Sequence, residues 1–131
     1  MTNTSDMIMV FGSNESGIHG AGAARFAMQQ RGAQYGCSYG HTGDAFAIPT
    51  KNKTIRKTLE ISHIRWYVLG FIAYAMSHPE MTFQVTRIGC GLAGLKDSEV
   101  APLFLQTPSN CYFDTVWKEY LGDAYNYWGT F

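Results

Sequence analysis

The 131 residues fit one domain, residues 1–131, and 46% of them are hydrophobic, which is enough to bury a core. The formal net charge of zero argues against a general nucleic-acid binder, because such a protein needs a basic surface to neutralise phosphates. The chain has no apolar run that could cross a bilayer and no secretory signal, so we expect a cytoplasmic protein without membrane contact.

The predicted elements of the first half are a strand, a helix and a second strand. Met7–Phe11 is continuously apolar and predicts a buried strand of a parallel sheet. Ala21–Arg31 favours a helix that stops at Gly32. After the turn-rich stretch 36–43, we expect a strand over Ala45–Ile48 that is closed by Pro49.

The second half continues this alternation of helices and strands. Apolar residues spaced by three and four predict one helix face, formed by Ile61, Ile64, Val68, Ile72 and Ala75. The helix is expected to end at residues 77–79. Next come a strand over 82–88, a short helix from Asp97 or Ser98 to Leu105, a last strand over 110–113 and a helix capped by Asp114. The alternation predicts an α/β fold with a mostly parallel sheet.

The cysteines and histidines give little support for a metal site or a disulfide. Three widely spaced cysteines, Cys37, Cys90 and Cys111, indicate reduced thiols. The four histidines lack the spacing of metal ligands. We therefore expect neither a metal nor a cofactor.

Four glycines lie between the first predicted strand and the first helix, in the sequence "GSNESGIHGAG" (Gly12–Gly22). Glycine lets the backbone approach a ligand closely, and the start of the helix offers unpaired N–H groups to an anion. The alternative is a tight turn without a ligand. The stretch is neither a Rossmann fingerprint, since Arg25 stands where a third glycine is needed, nor a P-loop.

A second glycine loop, "IGCGLAGL" (Ile88–Leu95), also follows a predicted strand. The carboxyl ends of parallel strands meet at one edge of the sheet, so the two loops predict a diphosphate site there. A crossover turn without a ligand is the alternative reading of this loop.

Three segments in register resemble the macro domain family, and in particular the subgroup that removes terminal ADP-ribose from protein glutamates. They are "SNESGIHGAGAARF" (13–26), "AIPTKN" (47–52) and "IGCGLAGLKDSEVAPLF" (88–104). The sequence is also similar to small proteins of tailed phages. The resemblance implies a compact three-layer α/β sandwich that binds ADP-ribose or a related NAD-derived nucleotide.

The resemblance also implies roles for particular residues. The expected backbone contacts to the diphosphate come from Gly20, Ala21, Gly22 and Ala23 in the first loop and from Gly89, Cys90, Gly91 and Leu92 in the second. The side chains expected at the distal ribose are Ser13, Asn14 and His19, although local backbone bonds could also account for them. Lys51 and His19 are the candidate catalytic residues, whereas Ala93 stands where the subgroup carries its catalytic aspartate.

Three functions remain open at this point. A binding module would sequester the nucleotide, as a phage counter-defence factor in the host cytoplasm, and Ala93 favours this reading. A hydrolase or phosphatase would act on the distal ribose through Lys51 and His19. A ligand-free interaction protein would use the aromatic tail "YNYWGTF" (125–131), which we instead expect to dock on the core. The sequence does not define an oligomeric state.

Overall fold

The computed structural model describes residues 4–131 and contains one six-stranded sheet between helices. The strands are β1 Ile8–Asn14, β2 Gly40–Thr42, β3 Ala45–Lys51, β4 Phe83–Val85, β5 Cys111–Asp114 and β6 Asn126–Gly129. The helices are α1 Gly22–Gln30, α2 Ile61–Ser77, α3 Asp97–Val100 and α4 Lys118–Leu121, with short 3-10 helices at Thr4–Asp6, Ala101–Phe104 and Thr115–Trp117.

The strand order is β2-β3-β1-β4-β5-β6, and every neighbouring pair is parallel except β2 and β3. Both faces of the sheet are covered, as expected of parallel strands. Because side chains alternate along a strand, Met9 and Phe11 pack in a small core with α1, whereas Val10 belongs to a larger core with α2. The predicted three-layer α/β sandwich is confirmed.

The longest helix, α2, forms where the apolar spacing predicts it. Ile64, Val68, Ile72 and Ala75 are all buried, together with Phe71, and the helix ends at Ser77 before His78 and Pro79. A residue that precedes proline is disfavoured in the α conformation, which accounts for the stop. None of the helices within residues 4–131 is long and apolar enough to cross a membrane.

The prediction that Pro49 ends the strand that begins at Ala45 is wrong. β3 continues through Pro49 to Lys51 alongside β1. Pro49 pairs with Ser13, next to a register shift between Ser13 and Asn14, and an irregular position of this kind tolerates a residue that has no N–H to donate. The extension brings Lys51 to the same edge of the sheet as Asn14.

The strand predicted over residues 110–113 is present as β5, but the prediction that it is the last strand is wrong. β6, in the aromatic tail, pairs in parallel with β5. The indole Nε1 of Trp128 donates a hydrogen bond of 3.0 Å to the Val85 carbonyl oxygen, so the tail docks on the sheet as expected. The predicted capping bond of Asp114 is present, since its Oδ1 accepts a hydrogen bond of 2.9 Å from the Val116 backbone N–H, but it caps the 3-10 helix Thr115–Trp117 that leads into α4.

Candidate functional site

The carboxyl ends of the five parallel strands share one edge of the sheet, and a cavity of about 640 Å³ opens there. The loops that follow β1 and β4 form two of its walls. Ligands of open α/β sheets bind in this position, because the loops diverge where the strands end. This cavity is therefore the candidate site.

The first loop is folded by the side chain of Asn14. Its Nδ2 donates a 2.7 Å hydrogen bond to the Ile18 carbonyl, and its Oδ1 accepts from the Ile18 N–H at 3.0 Å and from Ser16 Oγ at 2.9 Å. Asn14 lines the cavity, but its amide is already used in shaping the loop. The sequence allows two roles for Asn14, a ligand contact or local bonds to the backbone, and these contacts favour the local bonds.

Helix α1 begins at the cavity with its first N–H groups open to a ligand. Ala21 is the N-cap residue and makes no side-chain capping bond, and the first turn contains no acidic residue. Gly22 has φ of +58°, a conformation that favours glycine. A Cβ built on Gly20 would meet nothing within 4 Å, so the backbone is accessible at that point of the wall.

The second loop faces the first across the cavity. A Cβ on Gly22 would lie 3.5 Å from Leu92 Cδ1, and the Leu92 side chain is 71% exposed. Gly89 has φ of +75°, while a Cβ on Gly91 would meet open space. The two glycine loops are therefore brought together as the sequence predicts.

Cys90, between the glycines of the second loop, remains a thiol. Burial is the main cause that raises its pKa to about 12, and the nearby carboxylate of Asp97 adds to the effect. Only a thiolate is a strong nucleophile. Cys90 therefore serves as a small residue of the cavity wall.

An ion pair anchors the second loop to α3. Arg87 Nε donates a 2.7 Å hydrogen bond to Asp97 Oδ1, and the Trp117 indole donates to the same oxygen at 2.6 Å. The bonds from Arg87 are the main cause that lowers the pKa of Asp97 to about 2. Asp97 is therefore an ionised carboxylate whose role is to hold Arg87 and Trp117 in place.

Lys51 lines the cavity at the end of β3 and forms no salt bridge with any residue in 4–131. The carboxylate that lines the cavity is Asp114, but its two oxygens accept from the Val116 N–H and from Thr130 Oγ1, at 2.9 and 3.1 Å. Ala93 provides no acid, and its carbonyl accepts a bond of 2.7 Å from Thr58 Oγ1.

His19 does not line the cavity. It is 0% exposed, with the rings of Phe11 and Tyr35 against it at centroid distances of 5.3 and 6.3 Å. Burial lowers its pKa, and the backbone of Cys37 opposes this in part. Its Nε2 lies 3.3 Å from Ser13 Oγ, so any effect on a ligand passes through Ser13. This position corrects the expectation that His19 touches the ligand itself.

All the other predicted site residues line the cavity, namely Ser13, Asn14, Lys51, residues 20–23 and residues 89–92. The sequence reading missed Thr50, Thr86, Arg87, Asp114, Thr130 and Phe131. The first four could have been predicted, because each lies at the carboxyl end of a parallel strand or just beyond it. Thr130 and Phe131 depend on β6, which the sequence reading did not anticipate.

The topology and the cavity define a macro-domain-like three-layer α/β sandwich with a site at the carboxyl edge of its sheet. No family model matches the chain, and no curated protein is significantly similar to it. Among solved structures, the chain is similar to "Thermosipho africanus DarTG in complex with ADP-ribose", with a TM-score of 0.58 and 20% identity. The match covers 86% of this chain and 39% of that chain, and at this identity it establishes the fold alone.

Proposed function

We propose that the cavity binds ADP-ribose or a related NAD-derived nucleotide, with the diphosphate between the two glycine loops. The observation that carries this proposal is that both glycine loops line one cavity of about 640 Å³ at the carboxyl edge of the sheet. We further propose that the chain is a reduced, phage-type member of the macro domain family, related to the subgroup that removes ADP-ribose from glutamate.

The charges and dimensions of the cavity support a dianionic ligand. The open N–H groups at the start of α1 and the ammonium group of Lys51 both favour negative charge. A volume of about 640 Å³ lies within the range of roughly 300–1,000 Å³ typical of small-molecule sites. The similar fold of DarTG, which was solved with ADP-ribose, adds support.

Sequestration without turnover is the form of this function that the chemistry favours. A lysine nucleophile needs an acid or base beside it. Ala93 offers none, and the carboxylates of Asp97 and Asp114 are held by other groups. We therefore propose a binding protein that acts in the host cytoplasm as a counter-defence factor, rather than a hydrolase, a phosphatase or a ligand-free module.

Calorimetry and thermal shift test the proposal with ADP-ribose, its 1″-phosphate, NAD and AMP. ADP-ribose at 100 times its Kd should raise the free energy of unfolding by roughly 2.7 kcal/mol. Gly91→Val should abolish this, because Gly91 lines the cavity, a Cβ there meets no atom within 4 Å, and its φ is not positive. Gly22→Val is a poorer choice, since φ of +58° strains any side chain.

Ala73→Val, on the exposed side of α2, is the matched control and should bind normally. Normal binding by folded Gly91→Val would refute the proposed diphosphate position. A peptide ADP-ribosylated on glutamate should stay intact with the wild-type protein. Rapid release of ADP-ribose that Lys51→Ala abolishes would instead establish a hydrolase.

A further inference from the structure

Helix α2 is apolar on the side that faces solvent as well as on the side that packs on the sheet. Among its 17 residues, Arg65 is the only Asp, Glu, Lys or Arg. The outer face of a helix that covers a sheet normally carries charged and polar residues. An outer face that is mostly apolar instead indicates that another surface covers it.

Four exposed apolar residues on this side have the spacing of a contact between two helices. Trp66, Leu69, Ala73 and Met76 follow one another at steps of three, four and three residues. Trp66 and Met76 are 73% and 64% exposed, Leu69 is 41% exposed, and Ala73 is exposed as well. We call these four residues the α2 stripe. None of them lines the cavity, so the stripe is separate from the proposed nucleotide site.

The sizes of the four side chains fit a second copy of the same stripe that runs in the opposite direction. A two-fold axis across the helices at the level of Phe71 places Trp66 beside Met76 of the second copy, and Leu69 beside its Ala73. The largest ring then meets an adaptable thioether, and leucine meets a small residue. A parallel pair would instead stack Trp66 on Trp66 and leave a gap between the two alanines.

The charges at the two ends of the helix also favour the antiparallel arrangement. Arg65 lies beside the stripe near the start of α2, and Glu80 follows the end of the helix. Both are exposed, and neither forms a salt bridge with any residue in 4–131. Antiparallel pairing brings Arg65 of each copy toward Glu80 of the other, whereas parallel pairing would place Arg65 beside Arg65.

We infer that two copies of this chain associate through the α2 stripe, with their α2 helices antiparallel. The inference goes beyond the proposed function and does not depend on it. Stable interfaces bury about 800 Å² and roughly 20–30 residues on each partner, which is more than one helix stripe provides. The dimer is therefore reversible, with a dissociation constant in the micromolar range.

Sedimentation velocity from low micromolar to millimolar protein concentration tests the inference, and the wild type should pass from monomer to dimer. Trp66→Glu should weaken the association by about 100-fold, because it places a charge at the centre of each large contact. Trp66→Phe keeps an apolar ring and should still form the dimer. Phe26→Glu is the matched control, since Phe26 is 41% exposed on α1, which covers the other face of the sheet.

Charge reversal tests the antiparallel arrangement. Arg65→Glu and Glu80→Arg should each weaken the dimer by about three- to tenfold, because each places like charges together across the interface. The double variant, which exchanges the two charges, should recover the affinity of the wild type. A parallel dimer would not recover in this way.

Tryptophan fluorescence provides a second measurement, which keeps the test decisive if Trp66→Glu does not fold. The emission of the wild type should shift to shorter wavelength as the protein concentration rises, because the exposed indole of Trp66 becomes buried. Trp66→Phe should lack this shift although it forms the dimer.

The outcomes decide both parts of the inference. Wild-type protein that stays monomeric into the millimolar range would overturn it and leave the stripe to a different protein or to no partner. A dimer that folded Trp66→Glu leaves intact would place the interface elsewhere and overturn it as well. A double charge variant no tighter than the single variants would overturn the antiparallel arrangement.

Discussion

At the scale of single residues, Asp97 joins three parts of the chain. Its carboxylate accepts hydrogen bonds from Arg87, which leads into the second glycine loop, and from Trp117, which is 0% exposed. The carboxylate thereby fixes one wall of the cavity to the larger core. Charge-assisted bonds of this kind are stronger than neutral ones, so their loss should affect both stability and loop position.

Asp97→Asn should lower the free energy of unfolding at pH 7 by about 1 kcal/mol, after allowance for solvent screening of the partly exposed pair. The pKa of Asp97 in the folded protein, about 2, lies below the ordinary aspartate value of 3.8. The stabilisation is therefore complete above pH 3.8 and is lost as pH falls through about 2. Denaturant unfolding across this range should show a steeper acid loss for wild type than for Asp97→Asn.

Asp123→Asn provides the comparison, because Asp123 is 93% exposed and pairs only with Lys118 at 3.5 Å among the described residues. Exposed pairs contribute little, so its acid profile should match that of the wild type. An Asp97→Asn profile that coincides with both would show that the Arg87 pair does not stabilise the fold.

At the scale of elements, β6 completes the cavity. It adds a strand beside β5, and the residues that follow it, Thr130 and Phe131, line the site. The ring of Phe131 lies 6.0 Å from that of Phe26 on α1 and 5.2 Å from that of Trp128. The strand therefore links the stability of the sheet edge to the shape of the site.

Trp128→Phe should destabilise the protein by about 1 kcal/mol, because it removes the indole hydrogen bond to Val85. It should also weaken nucleotide binding, since the cavity wall beyond β6 loses its support. Denaturant unfolding and calorimetry measure the two effects. Trp66→Phe is the control, as Trp66 is 73% exposed on α2, and equal effects of the two substitutions would contradict this role of β6.

The elements also differ in how far the sequence could predict them. Helix α2 follows from local spacing, since Ile64 and Val68 must share one face of any helix. β6 does not, because its place depends on pairing with β5 and not on a pattern of its own. The glycine loops could be assigned to one edge, but the direction of the His19 side chain depends on packing with Phe11 and Tyr35.

At the scale of the whole molecule, one sheet separates two unequal cores. The smaller, with α1, is built largely from alanines, whereas the larger, with α2, is rich in aromatic rings. Phe71 lies near the middle of the larger core, with ring centroids of Phe46 and Phe83 at 5.1 and 5.2 Å. Because both cores share the same strands, we expect them to unfold in one cooperative transition.

Phe71→Ala should therefore lower the free energy of unfolding by about 3–5 kcal/mol, a large part of the roughly 5–15 kcal/mol typical of a domain. The loss should appear as a single shifted transition in both near- and far-ultraviolet circular dichroism. Leu69→Ala, at a 41% exposed position of the same helix, should change stability far less. Separate transitions for the two signals would show that the cores unfold independently.

The start of α1 has a consequence for how the protein folds around its ligand. No side chain caps this helix. The oxygens of a bound phosphate would therefore accept the hydrogen bonds from the first backbone N–H groups that a capping residue normally accepts. Backbone amides of Gly22, Ala23 and Ala24, which precede the first intrahelical bond from the Arg25 N–H to the Ala21 carbonyl, should then exchange hydrogen more slowly with ADP-ribose bound, and by a larger factor than those of α2. Nucleotide binding would in this way supply the N-terminal cap that α1 lacks.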